Sequence, residues 1–588
     1  MAQKYQRGHG ARINGQHVPH YDGYGAAVPN FNFDRFPRFE ELTTLLHEYT
    51  VEYPALVRID SIGKSFEGRD IWLMTVTNSA SGPASEKPAV WIDANIHATE
   101  VTGGVAAIHL IHHLVNGYGT DAEVTAALDT RAFYIVPRLN PDGVEVALSD
   151  RPRFVRSSVR RYPVVDAEDG LVEGDADGDG RFLFMRVADA NGAWTPAAQE
   201  PRLLVPVDPT GVGVTGIRYR LLPEGKMRNY DGVTVPIAAV AEGLDLNRQY
   251  PAGWRPESDQ LGAGPYTLSE PETRAEVHAI AERPNVTAFV AYHTSGGVHL
   301  RPYSEKPDDD MPSGDLRTYR FMGAKATEFT GYKSMSMFHD FKYDFKVTEG
   351  GASDDWAYDH LGIYGWTTEF WSMLDRAGIV DFHQIEWYNS HPISDDLKLM
   401  VWADRVAPGE IFVDWYPFDH PQLGPVELGG WDFMKVSNAL PSEMLAEVEP
   451  HSKWAVWLCL ISPRLELVSA VAEPVGDGVW RVRVVVHNTG FLPTNVTQRA
   501  VQRKAVGPVV AVLSLADGCV LLTGKGRQEL GQLTGRDRKN SMMGWSTTDP
   551  TSDRGVAEWV VSGVAGQTLA YEVRHPRAGV ARGSIALP

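Results

Sequence analysis

Residues 89–100 read Ala-Val-Trp-Ile-Asp-Ala-Asn-Ile-His-Ala-Thr-Glu: an apolar run, then a histidine and a glutamate three positions apart. The run 89–96 has the length and apolar content of a strand buried on both faces. A helix is expected over 100–115. His97 would then end the strand and Glu100 would open the helix, so that both side chains converge on one point. A catalytic zinc takes three protein ligands and keeps one position open for water. This turn can supply two of the three. Taken alone, His-x-x-Glu is a common pair, and a glutamate that starts a helix beside a surface histidine serves the helix dipole equally well.

Outward from this stretch, apolar positions Phe39, Leu42, Leu45, Leu46 and Tyr49 recur at helical spacing over 35–52, and Pro54 stops the helix. Leu56 to Ile59 and Ile71 to Val76 read as strands separated by a turn at Gly68. Residues 132–137 and 285–293 read as two more buried strands. Strands alternating with helices predict an α/β sheet with helices on both faces. In such sheets function sits at the strand ends. Residues 1–34, rich in Gly, Asn, His and Tyr, read as a loose arm. The catalytic domain is expected over 35–405, interrupted at 157–240 by an insertion rich in Pro, Gly and Asp. Residues 406–464 read as a linking segment. From 465 to 588, short alternating strands such as 479–484 predict an all-β, sandwich-like region.

The chain of 588 residues carries a net charge of −20, which argues against nucleic acid and anionic membrane as partners. No run approaches a membrane span of about 20 apolar residues. Nor does the polar N-terminal stretch carry the apolar core of a signal peptide, so a cytoplasmic protein is expected. Cys459 and Cys519 have no partners at metal spacing, which excludes a cysteine zinc site and leaves reduced, buried thiols as the expectation. Nothing in the sequence addresses oligomeric state.

Further motifs follow in order: 61–69 (Ser-Ile-Gly-Lys-Ser-Phe-Glu-Gly-Arg), Asn140-Pro141-Asp142-Gly143, 243–248 (Gly-Leu-Asp-Leu-Asn-Arg) and 264–273. Then come Tyr292-His293-Thr294-Ser295-Gly296, Asp355-Trp356-Ala357-Tyr358 and Thr368-Glu369. Together with His97 and Glu100, this set over about 35–400 resembles the M14 zinc carboxypeptidase family. The resemblance implies a mixed, twisted sheet with helices on both faces. It implies Zn2+ held by His97, Glu100 and His293, with Asp245 behind His97 fixing its tautomer. Glu369 would be the general base. Arg156, within Arg153-Phe154-Val155-Arg156, would stabilise the oxyanion. Asn247 and Arg248 would clamp the terminal carboxylate of a peptide substrate. Asp354 falls where the resembling carboxypeptidases have the bottom of the side-chain pocket. A carboxylate there suits Lys or Arg, because an apolar residue would leave it buried unpaired. The alternative has the loop 349–354 on another path, with Asp354 in solvent as a helix N-cap.

The chain departs from the family at three places. Thr99 replaces an arginine common between the histidine and glutamate, Val347 replaces a common tyrosine, and Ser295 replaces an aromatic. The zinc chemistry survives these changes, whereas substrate grip and specificity do not follow from the resemblance. His109, His112 and His113 on one helix imitate a metal site but lack a carboxylate. Asp175, Asp177 and Asp179 look like the start of a calcium loop, but Arg186 at the twelfth position excludes a full EF-hand. A partial calcium site and a solvated acidic turn both remain. Three other functions stay open: a cell-wall γ-D-glutamyl-type peptidase, an N-acyl amino acid deacylase, and a catalytically inactive peptide-binding module.

Overall fold

A computed structural model describes residues 29, 31–163, 169–210, 216–342, 348–537 and 549–588. Its centre is an eight-stranded sheet. The strands run, in spatial order, Val57–Lys64, Asp70–Val76, Ala132–Val136, Ala89–Ala94, Val286–Thr294, Tyr364–Phe370, Val298–Arg301 and Lys333–Ser336. The four strands from 132–136 to 364–370 are parallel, and antiparallel pairings flank them on both sides. The sheet is therefore mixed.

Alternation along the central strands explains why helices cover both faces. Val90, Ile92 and Ala94 point into one apolar cluster, with Leu110, Leu114 and Trp454. Ala89 and Trp91 point into the opposite cluster, with Ala275, Ala279 and Ile280 of the helix Pro271–Ala281. Period-two alternation in a strand buried on both sides leaves no polar face, which is why 89–96 reads as an unbroken apolar run.

The helix Phe39–Glu52 buries Leu42, Leu45, Leu46 and Tyr49, and the chain turns away just before Pro54. Most of the N-terminal arm lies outside the described residues. Phe31 and Phe33, however, are buried in the main core, where Phe33 packs edge-on against His109 and His112. His109 is buried and His112 half-buried, and both are engaged: His109 Nδ1 meets Ser452 Oγ at 2.8 Å, and His112 Nδ1 meets Tyr49 OH at 3.1 Å.

Residues 157–240, expected as an insertion, contribute four strands to a six-stranded sheet. The hairpin Phe412–His420 and Gly424–Trp431 completes it. Residues 406–464, expected as a linking segment, thus hold that hairpin together with the helix Met444–Leu460, which buries Trp454, Leu458 and Cys459 against the main sheet. Cys459 is buried and Cys519 only half-buried; both thiols are free.

Beyond Leu465 two four-stranded sheets face each other. The alternating Trp480, Val482, Val484 and Val486, with Trp559 on the neighbouring strand, fill the space between them, and Tyr571 and Val573 lie on the opposite sheet. This sandwich is fastened to the larger unit through buried Arg577, whose guanidinium donates to the carbonyls of Gly362 and Asn495 at 3.1 Å. No helix among the described residues is long and apolar enough to cross a membrane.

Candidate active site

The turn after the strand Ala89–Ala94 begins at Asn95, which adopts a left-handed conformation (φ 57°). Asparagine tolerates this region better than most residues. Its Nδ2 donates to the Glu100 carbonyl at 2.6 Å and closes the loop. The helix starts only at Thr102, so His97 and Glu100 both lie in the turn, and neither ends the strand nor opens the helix. The strand cannot continue through a left-handed residue, and the closed loop delays the helix. Both side chains still point the same way, at the C-terminal end of the parallel strands.

The third group comes from the neighbouring strand Val286–Thr294. His293 Nδ1 lies 3.1 Å from His97 Nδ1 and 2.9 Å from Glu100 Oε2, and His97 Nδ1 lies 2.8 Å from Glu100 Oε1. Ligand atoms of a tetrahedral zinc site, with bonds of about 2.0–2.2 Å, stand about 3.3 Å apart. The cluster approaches that spacing with the donor types zinc takes. On the far side of His97, Nε2 lies 3.1 Å from Asp245 Oδ1, which leaves Nδ1 as the lone-pair nitrogen. Burial opposes charge on Glu100, but His97 and His293 outweigh it and hold the carboxyl well below the usual range. The residues fit a zinc ion.

Backbone ties explain why the flanking motifs are there. Asn140 caps the helix Pro141–Ala147, and its Nδ2 donates to the Ser157 carbonyl at 2.7 Å. Ala98 N donates to the Arg156 carbonyl at 3.0 Å. These bonds lay the segment of Arg156 beside the metal turn. Asp142 accepts from Ser65 Oγ, Glu67 N and Arg69, all at 2.7 Å, so the motif 61–69 serves as a brace. Arg156 reaches Glu100 at 3.0 Å and Asp245 at 3.1 Å. Asp245 also caps the short helix Leu246–Arg248 and so presents Asn247 and Arg248.

His97, Arg156, Asn247, Arg248, His293, Asp354 and Glu369 all line one cleft. Glu369 lies directly opposite His293 in the parallel register. Burial pushes its carboxyl up to about 8 despite the opposing pull of His293. Asn247 Oδ1 accepts from Ser353 N at 2.9 Å and ties the loop 349–354 to the segment 246–248. Gly351, with φ at 77°, lies so close to the Arg248 carbonyl that a Cβ would stand 2.3 Å from it. Only glycine lets the two segments approach this closely. Asp354 is 1% exposed and faces the cleft, so the N-cap in solvent is not its position. Thr367, Ser304 and Lys342 share the lining, with the Lys342 ammonium over the Phe338 ring.

Val347 lies outside the described residues. Ser295 is hydrogen-bonded to Tyr388, whose phenol also feels the Glu369 charge. Tyr388 and Glu349 were not singled out by sequence, because neither belongs to a motif with the residues it meets. A second acidic group joins Asp175 and Asp177 to Glu224, a buried residue from a distant segment. Asp179 stands outside that group. Glu224 accepts from Ala176 N at 2.7 Å and Leu183 N at 3.2 Å.

A buried His-Glu-His centre at the C-terminal edge of a mixed sheet, with a carboxylate and an arginine fork across one cleft, defines a metallohydrolase of the α/β class. The model of the family described as zinc carboxypeptidase matches residues 42–192 and 207–389, and the chain belongs to that family. A domain of unknown function matches residues 464–586. Mouse carboxypeptidase A2 is 26% identical over 337 residues, covering 57% of this chain and 62% of that protein. Human carboxypeptidase B is 24% identical over 351 residues, covering 58% and 63%. The chain therefore spans less than two thirds of the length of these relatives. The zinc carboxypeptidase of Saccharothrix mutabilis subsp. capreolus is 34% identical over 110 residues, covering 19% of this chain and 25% of that protein. Among solved structures, thrombin-activatable fibrinolysis inhibitor gives a TM-score of 0.38 at 18% identity, covering 64% of this chain and 76% of that one. Members of the family are zinc hydrolases acting on peptide bonds and use Zn2+, and in this chain His97, Glu100 and His293 form a group that could hold a metal ion.

Proposed function

We propose that this protein is a metallocarboxypeptidase that removes single residues from the free C-terminus of peptides. The observation that carries this reading is the common cleft. It joins a His-Glu-His donor set, a buried carboxylate and an Asn-Arg clamp. His97, Glu100 and His293 would hold the zinc, which when bound would supply Lewis-acid polarisation and a more acidic water. Asp245 keeps the proton on Nε2 of His97 so that Nδ1 can donate its lone pair. Glu369 takes the proton of the attacking water and returns it to the leaving amine. Arg156, which lines the same cleft, stabilises the developing oxyanion. Asn247 and Arg248 bind the terminal carboxylate, which aligns the last peptide bond.

Asp354 sets the side-chain preference. A buried carboxylate facing the cleft is compensated by a cationic residue and left unpaired by an apolar one. The reading therefore takes C-terminal Lys or Arg as the favoured leaving residue. The test compares matched peptides ending in free acid and in amide, with and without chelation of the metal. Release of the last residue from the free acid only, abolished by chelation, is the expected result.

A further inference from the structure

Arg248, the fork of the clamp, already holds an anion from its own chain. Its NH2 group pairs with Glu349 Oε2, and its NH1 donates to the Asn247 carbonyl at 2.8 Å. The arginine side chain is 12% exposed and that of Glu349 38%, and both line the cleft into which Asp354 faces. Gly350 and Gly351 pin the loop: Gly350 N donates to Gln260 Oε1 at 2.8 Å, and Gly351 N donates to the Ala252 carbonyl at 2.7 Å. Glu349 thus stands one residue from a fixed point, on the group that a substrate carboxylate would use. An incoming carboxylate has to displace it, and a displaced Glu349 then faces the cleft without its partner. A substrate whose last side chain is cationic can receive it.

We propose that Glu349 is a built-in competitor for the carboxylate clamp, so that the site admits a C-terminal residue at full affinity only when that residue brings a cation to take Glu349 over. The substrate exchanges its two charges for the two of the internal pair: its carboxylate goes to Arg248 and its side-chain cation to Glu349. An apolar residue brings only one of the two and leaves Glu349 uncompensated. This inference rests on the carboxypeptidase reading and adds a second specificity residue to Asp354.

The test is calorimetric binding of L-arginine, L-phenylalanine and L-phenylalaninamide to the zinc-loaded full chain and to Glu349→Gln and Glu349→Ala. All three ligands carry the same α-ammonium group, so differences isolate the carboxylate and the side chain. In both variants L-phenylalanine should bind about fivefold tighter or more, the scale of one partly buried ion pair. L-Arginine should gain nothing and L-phenylalaninamide should not change, so the preference for arginine narrows. Binding of L-phenylalanine that is unchanged, weakened or undetectable in both variants would overturn the role of Glu349. Hydrolysis of free-acid peptides is followed in parallel on the wild type. If it persists while the binding result is negative, the carboxypeptidase reading stands and only the competitor falls.

Discussion

His97 Nε2 lies 3.1 Å from Asp245 Oδ1, and the same carboxylate accepts from Arg156 and from the Asn247 amide. One buried side chain therefore orients His97, Arg156 and the start of the segment 246–248, the residues proposed as zinc ligand, oxyanion donor and carboxylate clamp. Asp245→Asn should lower zinc affinity about 10–100-fold, the usual effect of losing such a partner. Competition against a chelator of known affinity measures it. Wild-type affinity in the variant would show that Asp245 does not support the metal.

Removing the ligands themselves goes further. The His97→Ala/His293→Ala double variant should retain no stoichiometric zinc by elemental analysis, since one carboxylate alone does not make a site. Full occupancy in that variant would move the metal elsewhere in the chain.

Glu369→Gln should keep zinc and lose activity by about 10²–10⁴-fold, the range for loss of a positioned general base. Steady-state turnover and metal content are measured on the same sample. Turnover within tenfold of wild type removes Glu369 from the role.

The core of this site was legible because its residues sit in short, ordered motifs on strand ends. The unbroken apolar run 89–96 gave away a doubly buried strand, and His293 and Glu369 close two neighbouring strands that pair in register. What stayed hidden depends on backbone conformation or on distant partners. No apolar pattern marks Asn95 as left-handed, so the helix start was read two residues early. Glu349 meets Arg248 across 101 positions, and Glu224 meets Asp175 and Asp177 from a separate strand region. Segment 406–464 carries Pro, Trp and Gly that suggest a link, yet its helix fills a gap against the main sheet. The apolar stripe of that helix can be assigned only once the sheet is known.

Asp354→Ala should abolish a preference for C-terminal Arg over Phe in matched peptides, because the buried carboxylate that rewards the cation is gone. Relative kcat/KM for peptides ending in Arg, Phe and Glu is the measurement. A wild type without any Arg preference would send the choice of substrate to other parts of the cleft.

Stability carries a pH signature at Glu272. This side chain is fully buried, and its Oε1 accepts from Phe66 N at 2.8 Å. Burial, opposed by that bond and reinforced by Asp142 and Glu270, pushes its carboxyl from 4.5 up to about 7. Between those two values the unfolded chain releases a proton that the folded chain keeps, so stability falls as pH rises through the window. A shift of this size corresponds to about 3 kcal/mol. Glu272→Gln should therefore raise the melting temperature relative to wild type more at about pH 8 than at about pH 5. Equal offsets at the two pH values would contradict the assignment.

The most direct measurement follows two peptides of one sequence, one ending in a free carboxylate and one in an amide, by mass spectrometry with the zinc-loaded chain. The account predicts stepwise loss of C-terminal residues from the free acid, none from the amide, and no cleavage after chelation. It also predicts that Arg248→Ala weakens the free-acid reaction by about 2–4 kcal/mol, the worth of a desolvated bidentate pair. Equal cleavage of both peptides, or cuts at internal bonds, would contradict it.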